Sequence, residues 1–291
     1  MKICRFNNDR VGIVDGDGVI DVTDLFDRQQ AWPVPPGDTI IRQIDGLKDK
    51  LRAALASDQA RTPLSSVRLE SPVANPSKIV GAPINYKAHI EEANADSEIS
   101  HGHVYTSLDQ YGLFLKANTS LIGVADEVEI RFADRRTDHE VELAVVIGRE
   151  ARMVTKEEAL DYVLGYAVGL DMTVRGKEFP TFRKSVDTYC VLGPWIITTD
   201  EVADPNALEL TLTVNGKARQ GSNTSKLIFN VQRLIEYASS FYTLYPGDVI
   251  MTGTPDGVGP VEPGDVMDAE VEGVAKIQVR VAPGYATADR S

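Results

Sequence analysis

At the start of the chain, in CRFNNDRVGIVDGDGVIDV, apolar residues alternate with polar ones, and Asn, Asp and Gly gather between the runs. Period two broken by turn residues predicts short strands joined as hairpins. Across residues 37–60 the rhythm changes. Ile40, Ile41, Ile44, Leu47, Leu51 and Leu55 recur at three- and four-residue steps, which predicts a helix with one apolar stripe. RTPLSSVRLESPVANPSK follows as an extended, proline-punctuated stretch. A boundary near residue 75 separates a small N-terminal module, residues 1–75, from a main domain, residues 76–291.

In the main domain KIVGAPINY runs from a buried strand into a loop, KAHIEEANADSEI is a short polar helix, and FLKANTSLIG is strand and turn. DHEVELAVVIG is a strand that begins polar and becomes apolar on both faces. TKEEALDYVLGYAVGLDMT opens with Thr155 and Glu158 at capping-box spacing, which predicts a helix, and YAVGLDMT after it predicts a buried strand. LELTLTVNGKARQ is a hairpin about an Asn-Gly turn, residues 224–242 are an amphipathic helix, and short strands between Gly and Pro turns close the chain. Many strands and few helices predict a β-rich, mixed α+β fold with helices packed outside the core. The chain has no internal repeat and no low-complexity tract.

Composition narrows the partners. The 291 residues carry 30 Lys and Arg against 43 Asp and Glu, a net charge of −13, which repels nucleic acid. An anionic small molecule needs a local cation cluster or a bound metal to reverse that field. Hydrophobic residues at 43% support a packed core. No apolar run reaches the roughly 18–20 residues of a membrane span, and the first residues carry Asn, Asp and Arg where a signal peptide needs apolar ones. Cys4 and Cys190 are the only cysteines, and TYCVLGPW marks Cys190 as a buried, inert thiol rather than part of a disulfide framework. The expected location is the cytoplasm.

The candidate chemistry begins at Asp138-His139-Glu140-Val141-Glu142. Residues two apart in a strand share a face at about 6.6 Å, a separation that one cation can bridge with two carboxylates. Taken alone, a Glu-x-Glu is more often a solvated edge strand. Asp171, at the end of the apolar run GYAVGLD, needs a partner if buried, and with Glu140 and Glu142 it makes the oxygen-only set that Mg²⁺ or Mn²⁺ prefers. The other reading of Asp171 is a turn cap. Arg175 and Lys184 supply positive charge for an anionic ligand, or are surface charges. His89 and Glu92, at i and i+3 of the short helix, meet on one face; such a pair is a base for water, or a plain surface pair. Thr252-Gly253-Thr254-Pro255 forms a turn whose N–H groups suit an anion. No Walker loop or GxGxxG motif is present.

Taken in order, VGAPINYKAHIEE, DHEVELAVVIG, GYAVGLDMTVR, KSVDTYCVLGPWI, NTSKLIFNVQRLIEYAS and LYPGDVIMTGTPDGVGPV resemble the fumarylacetoacetate hydrolase family over residues 78–281, on its acylpyruvate hydrolase-like branch. The resemblance implies a rolled mixed β-sheet core with peripheral helices, a small N-terminal α/β module, and a homodimer. It also implies Mg²⁺ or Mn²⁺ held by Glu140, Glu142 and Asp171. It places Lys184 near metal and substrate, Arg175, Thr254, Gly253 and Tyr86 on the substrate, and His89 with Glu92 on a lid.

Two departures bear on the substrate tail. The loop that often reads Arg-Asp-hydrophobic-Gln in acylpyruvate hydrolases is Arg175-Gly176-Lys177-Glu178 here. The segment 93–113 is also long, and its His101, His103, Tyr105 and Tyr111 either line a tail pocket or belong to a solvated loop.

The implied activity is metal-dependent hydrolysis of a C–C bond in a 2,4-dioxo acid, giving pyruvate or a related 2-oxo acid. The same enolate arises in decarboxylation of an oxaloacetate-type acid or in isomerisation of a 2-hydroxyhepta-2,4-diene-1,7-dioate-type acid, so both stand as alternatives. A non-enzymatic oxo-acid binding module would bind without turnover. The expected partner in every case is a small anionic oxo acid.

Overall fold

The strand Val141–Ile147 is buried at every position, and the rest of the chain is layered around it. In this computed structural model, which describes residues 1–29 and 32–284, it lies inside a twelve-stranded mixed sheet. On one side it pairs antiparallel with Val163–Asp171, which pairs with Cys190–Thr198. Lys2–Phe6 then adds to Cys190–Thr198, so Arg10–Asp15, Gly18–Asp21 and Arg61–Pro63 extend the same sheet. On the other side come Val249–Met251, Ile79–Gly81 and Phe114–Lys116. A five-stranded sheet holds Lys217–Asn223, Glu209–Val214, Val266–Val271, Ala275–Pro283 and Glu127–Ile130. A three-stranded sheet joins Thr173–Val174, Thr137–His139 and Gly259–Pro260.

Strand alternation divides the core between the two faces of the large sheet. Val141, Leu143 and Val145 pack with Leu210, Leu212, Met267 and Ile277 of the five-stranded sheet and with Leu234 and Ile235 of the helix Val231–Ser239. Ala144 and Val146 face the other way, toward Ile13, Ile41, Ile44 and Leu51. Three of these belong to the helix Thr39–Leu55, which starts where Asp38 accepts hydrogen bonds from the N–H groups of Ile40 and Ile41. This is the β-rich, mixed α+β architecture that the sequence predicts. The Asn-Gly hairpin forms with positive φ at both Asn215 and Gly216, the twist a two-residue turn requires.

Two predicted helices come out differently. Thr155 and Glu158 do meet, but hydroxyl to carboxylate at 2.8 Å, and only the short 3₁₀ turn Ala159–Tyr162 follows. The strand begins at Val163 because Val163–Asp171 is paired on both edges, and that pairing overrides the local capping signal. The helix expected over 224–242 is confined to Val231–Ser239. Ahead of it, Asn85 holds the chain extended: its backbone carbonyl accepts from Ile228 N–H at 2.8 Å and its side-chain oxygen from Phe229 N–H at 2.7 Å. Asn230 then caps the helix by accepting from Arg233 N–H at 3.0 Å. Among the described residues, no helix is long and apolar enough to cross a membrane.

Candidate active site

Glu140 stands where the chain leaves one sheet for another. Thr137–His139 belongs to the three-stranded sheet and Val141–Ile147 to the large one, so the single strand expected over DHEVELAVVIG is broken at Glu140. Across from it the neighbouring strand makes the same transfer, from Val163–Asp171 to Thr173–Val174. The two transfers are tied by Asp171 N–H donating to the Glu140 carbonyl at 2.9 Å. Register then puts Glu142 opposite Gly169. Glu140, Glu142 and Asp171 are 3%, 1% and 1% exposed, and each offers a carboxylate oxygen within 4.8 Å of the others. Three buried oxygen donors at that spacing fit a divalent cation.

Buried cations surround the triad. Lys184, the last residue of the short helix Pro180–Lys184, donates to Glu140 Oε2 at 2.6 Å, Asp171 Oδ2 at 2.8 Å and Thr173 Oγ1 at 2.6 Å. Arg175 bonds Asp138 at 2.8 Å and Glu140 Oε1 at 3.1 Å. Burial alone pushes the Glu140 carboxyl up, but Lys184 and Arg175 outweigh it and hold it down to about 2. Glu142 goes the other way: burial, then the charges of Asp171 and Glu140, raise it well above the usual carboxylate range. Burial works against the Lys184 ammonium, and the charges of Asp171, Glu140 and Glu142 more than offset it, so that the group is held protonated.

His89 and Glu92 form the predicted pair on the helix Lys87–Ala95. His89 Nδ1 lies 2.9 Å from Glu92 Oε2, and Glu92 Oε1 accepts from Gly257 N–H at 2.8 Å. The imidazole is buried, and it is among the groups that lower the pKa of Glu140, after Lys184 and Arg175, so the helix brings it near the triad. Gly253 N–H donates to Glu142 Oε2 at 2.6 Å. Its φ of +99° and the 2.7 Å approach of a would-be Cβ to Asn85 leave room only for glycine. The Thr254 hydroxyl donates to the Val141 carbonyl at 2.9 Å and accepts from Gln220 at 2.8 Å. The Tyr86 hydroxyl is buried without a hydrogen-bond partner; burial, then the charge of Glu142, raise its pKa.

The structure thus brings Glu140, Asp171, Lys184 and Arg175 into one buried ion-paired cluster with Glu142 beside it, keeps His89 and Glu92 as a hydrogen-bonded pair of their own, and sets Gly253 on Glu142 and Thr254 on the Val141 carbonyl. It adds residues that sequence reasoning missed. Lys116 donates to Asp171 Oδ1 at 2.5 Å, and Asp138 pairs with both Arg175 and Arg136. Gln220 accepts from Val141 N–H at 3.0 Å and donates to Thr254. A lysine closing the apolar strand FLK was the one visible signal for Lys116; Gln220 had none. In the long segment, Tyr105 and Asn94 exchange two hydrogen bonds, at 2.7 and 2.8 Å, and the Tyr105 and Tyr111 rings lie 5.3 Å apart. Glu178, one of the departures noted in the sequence, is clamped by Arg135 at 2.8 and 3.1 Å.

Residues 78–282 match the family described as Fumarylacetoacetate (FAA) hydrolase C-terminal. The chain is 52% identical to the maleylpyruvate hydrolase of Aquipseudomonas alcaligenes over 287 residues, 97% of this chain and 99% of that protein. It is 38% identical to the 2,4-didehydro-3-deoxy-L-rhamnonate hydrolase of Sphingomonas sp. (strain SKA58), across 94% of this chain and 93% of that one. The crystal structure of maleylpyruvate hydrolase from Sphingobium sp. SYK-6, in complex with manganese(II) ion and pyruvate, superposes with a TM-score of 0.83 at 40% identity, over 98% of this chain and all of the other.

Proposed function

This chain belongs to the fumarylacetoacetate hydrolase family, and we propose that it hydrolyses a carbon–carbon bond of a 2,4-dioxo, acylpyruvate-type acid, releasing pyruvate or a related 2-oxo acid. The observation that carries this reading is the hydrogen-bonded His89–Glu92 pair, its imidazole buried near the carboxylate triad. Hydrolysis needs a base for water, whereas decarboxylation and tautomerisation do not.

In this proposal Glu140, Glu142 and Asp171 hold Mn²⁺, or Mg²⁺ in its place. A cation so held supplies Lewis acidity toward the substrate's carboxylate and 2-oxo group. Arg175 and Lys184 add the positive charge that an acidic protein otherwise lacks, and Lys184 stands where negative charge develops. Thr254, Gly253 and Tyr86 orient the substrate. Glu92, anchored on Gly257 N–H, fixes His89 Nδ1 and leaves Nε2 to take a proton from water. Hydroxide adds to the carbonyl of the acyl tail. The bond between that carbonyl and the adjacent methylene carbon breaks, its electron pair passes to the pyruvate fragment, and a proton completes pyruvate while the tail leaves as a carboxylic acid. Homodimeric assembly and a cytoplasmic location belong to the same proposal.

The test is a spectrophotometric turnover screen with acetylpyruvate, fumarylpyruvate, a 2,4-dioxo sugar acid and oxaloacetate, each with Mn²⁺, Mg²⁺ or chelator. Metal-dependent loss of diketone absorbance with equimolar pyruvate is the expected result. Turnover of oxaloacetate alone would move the protein to the decarboxylating or tautomerising members.

A further inference from the structure

Asp138 is fully buried and divides one carboxylate between two arginines. Its Oδ2 accepts from Arg175 Nε at 2.8 Å, and Arg175 goes on to Glu140 Oε1 at 3.1 Å. Its Oδ1 accepts from Arg136 Nε at 2.7 Å. Arg136 then reaches outward, where its Nη1 donates to Asp96 Oδ2 at 3.1 Å and to Glu98 Oε2 at 2.9 Å. At Asp96 the helix Lys87–Ala95 ends and the turn Ser97–Ser100 begins, and its Oδ1 accepts from Glu98 N–H at 2.8 Å. A continuous chain of ion pairs therefore runs from a triad carboxylate to the end of the helix that carries His89 and Glu92.

That helix has two further ties. Tyr86, just ahead of it, forms an antiparallel bridge with Leu227, and Glu92 accepts from Gly257 N–H at 2.8 Å. Gly257 leads into Gly259–Pro260 and Arg136 leads into Thr137–His139, and these two strands pair with Asp138 opposite Pro260. Arg175 follows Thr173–Val174, the third strand of the same small sheet, and its N–H donates to the Arg136 carbonyl at 2.8 Å. The three-stranded sheet thus grips the helix at two points and the triad at one. Glu98 is exposed and adds little, whereas Arg136 is half-buried and Asp138 is shielded from solvent, so their pairing is screened much less.

We propose that Arg136 is a positioning residue for the hydrolysis: by bridging Asp96 to Asp138 it holds the His89–Glu92 pair in place relative to the metal-binding carboxylates. The proposal rests on the hydrolase reading above. A guanidinium suits this post because its planar fork serves Asp138 from Nε and the helix end from Nη1 in fixed directions, which a compact ammonium does not. The described ion pairs of Arg136 go to Asp96, Glu98 and Asp138, and none goes to Glu140, Glu142 or Asp171. Its effect on the chemistry therefore passes through the helix.

The experiment is a double-mutant cycle on the Mn²⁺-loaded full chain, with R136M, H89A and R136M/H89A, on the fastest-cleaved dioxo acid of the turnover screen. Misplacing a catalytic group by about 1 Å costs up to about 100-fold, so R136M should lower kcat about 10- to 100-fold with KM and Mn²⁺ stoichiometry little changed. Groups that act as a unit are not additive, so R136M should cost nothing further once His89 is gone. The same loss in both backgrounds, a rise in KM with kcat intact, a loss of Mn²⁺ or an unchanged kcat each overturns the proposal and leaves the hydrolase reading intact. D96N cuts the same tie from the helix side and repeats the cycle if R136M does not fold. Cleavage of no dioxo acid by the native chain overturns the hydrolase reading, and amide exchange in Lys87–Ala95 then decides the tie. Faster exchange there in R136M, with Leu143 and Val168 unchanged, supports it; equal rates, or a rise at Leu143 and Val168 as well, refute it.

Discussion

Lys116 Nζ sits 2.5 Å from Asp171 Oδ1 and also donates to the main-chain carbonyl of Lys184, so one buried ammonium fixes both a carboxylate of the triad and the backbone of the next cation. Its side chain is fully buried, with Asp171 at 1%. Replacing it with methionine keeps the bulk and removes the charge. Removing one partner of a buried pair costs about 3–5 kcal/mol. Lys116→Met should therefore lower the denaturation midpoint without Mn²⁺, and by less with it, because the ion restores positive charge. An equal loss in both conditions would show that Lys116 acts by packing alone.

Glu142 is the triad member with no side-chain cation bonded to it; its one described hydrogen bond comes from Gly253 N–H. Glu142→Ala should abolish Mn²⁺ binding, followed by electron paramagnetic resonance, and with it every activity. The loss should exceed the about 10- to 100-fold typical of removing an outer-shell partner. Retention of stoichiometric Mn²⁺ would remove Glu142 from the ligand set.

His89→Ala tests the base separately. Acid–base groups contribute about 10²- to 10⁴-fold, so diketone hydrolysis should fall within that range. Any decarboxylation of oxaloacetate should be largely spared, since no water needs activating. An equal fall in both reactions would reduce His89 to a structural element of the lid.

Both thiols should be silent in the native state. Cys4 and Cys190 are buried, unpaired, and raised by burial from 9.0 to about 12. A thiol-specific reagent at pH 8 should label neither until denaturant is added. Between about pH 9 and 12 the unfolded chain releases these protons while the folded chain keeps them, so stability should decline as pH rises through that window. A denaturation midpoint unchanged from pH 8.5 to 10.5 would contradict this.

What the sequence disclosed and what it hid divide along physical lines. Glu140, Glu142 and Asp171 were legible because acids at the head of an apolar strand, or at the end of one, demand a partner. His89 and Glu92 were legible because helical spacing alone lets them meet. Lys116, Asp138 and Gln220 reach the site from separate elements, and no local periodicity reports that convergence. The break at Glu140 was invisible too, since DHEVELAVVIG reads as one strand and only the three-stranded sheet, built from Thr173–Val174 and Gly259–Pro260, pulls its first residues away. Thr155 and Glu158 offered a true local signal for a helix that pairing with two neighbouring strands overruled.

The paired transfers at Glu140 and Asp171 give a bound cation a second role, as a rivet between sheets. On one side of the seam lies the large sheet with its layered core. On the other lies a small ladder, held by only a few backbone bonds, that leads into the loop carrying Arg175. Ligand binding raises the free energy of those openings that break the site, and leaves others unchanged. Amide exchange in Thr137–His139 and Thr173–Val174 should slow sharply when Mn²⁺ is added, while the paired residues Leu143 and Val168, deep in the large sheet, keep their rates.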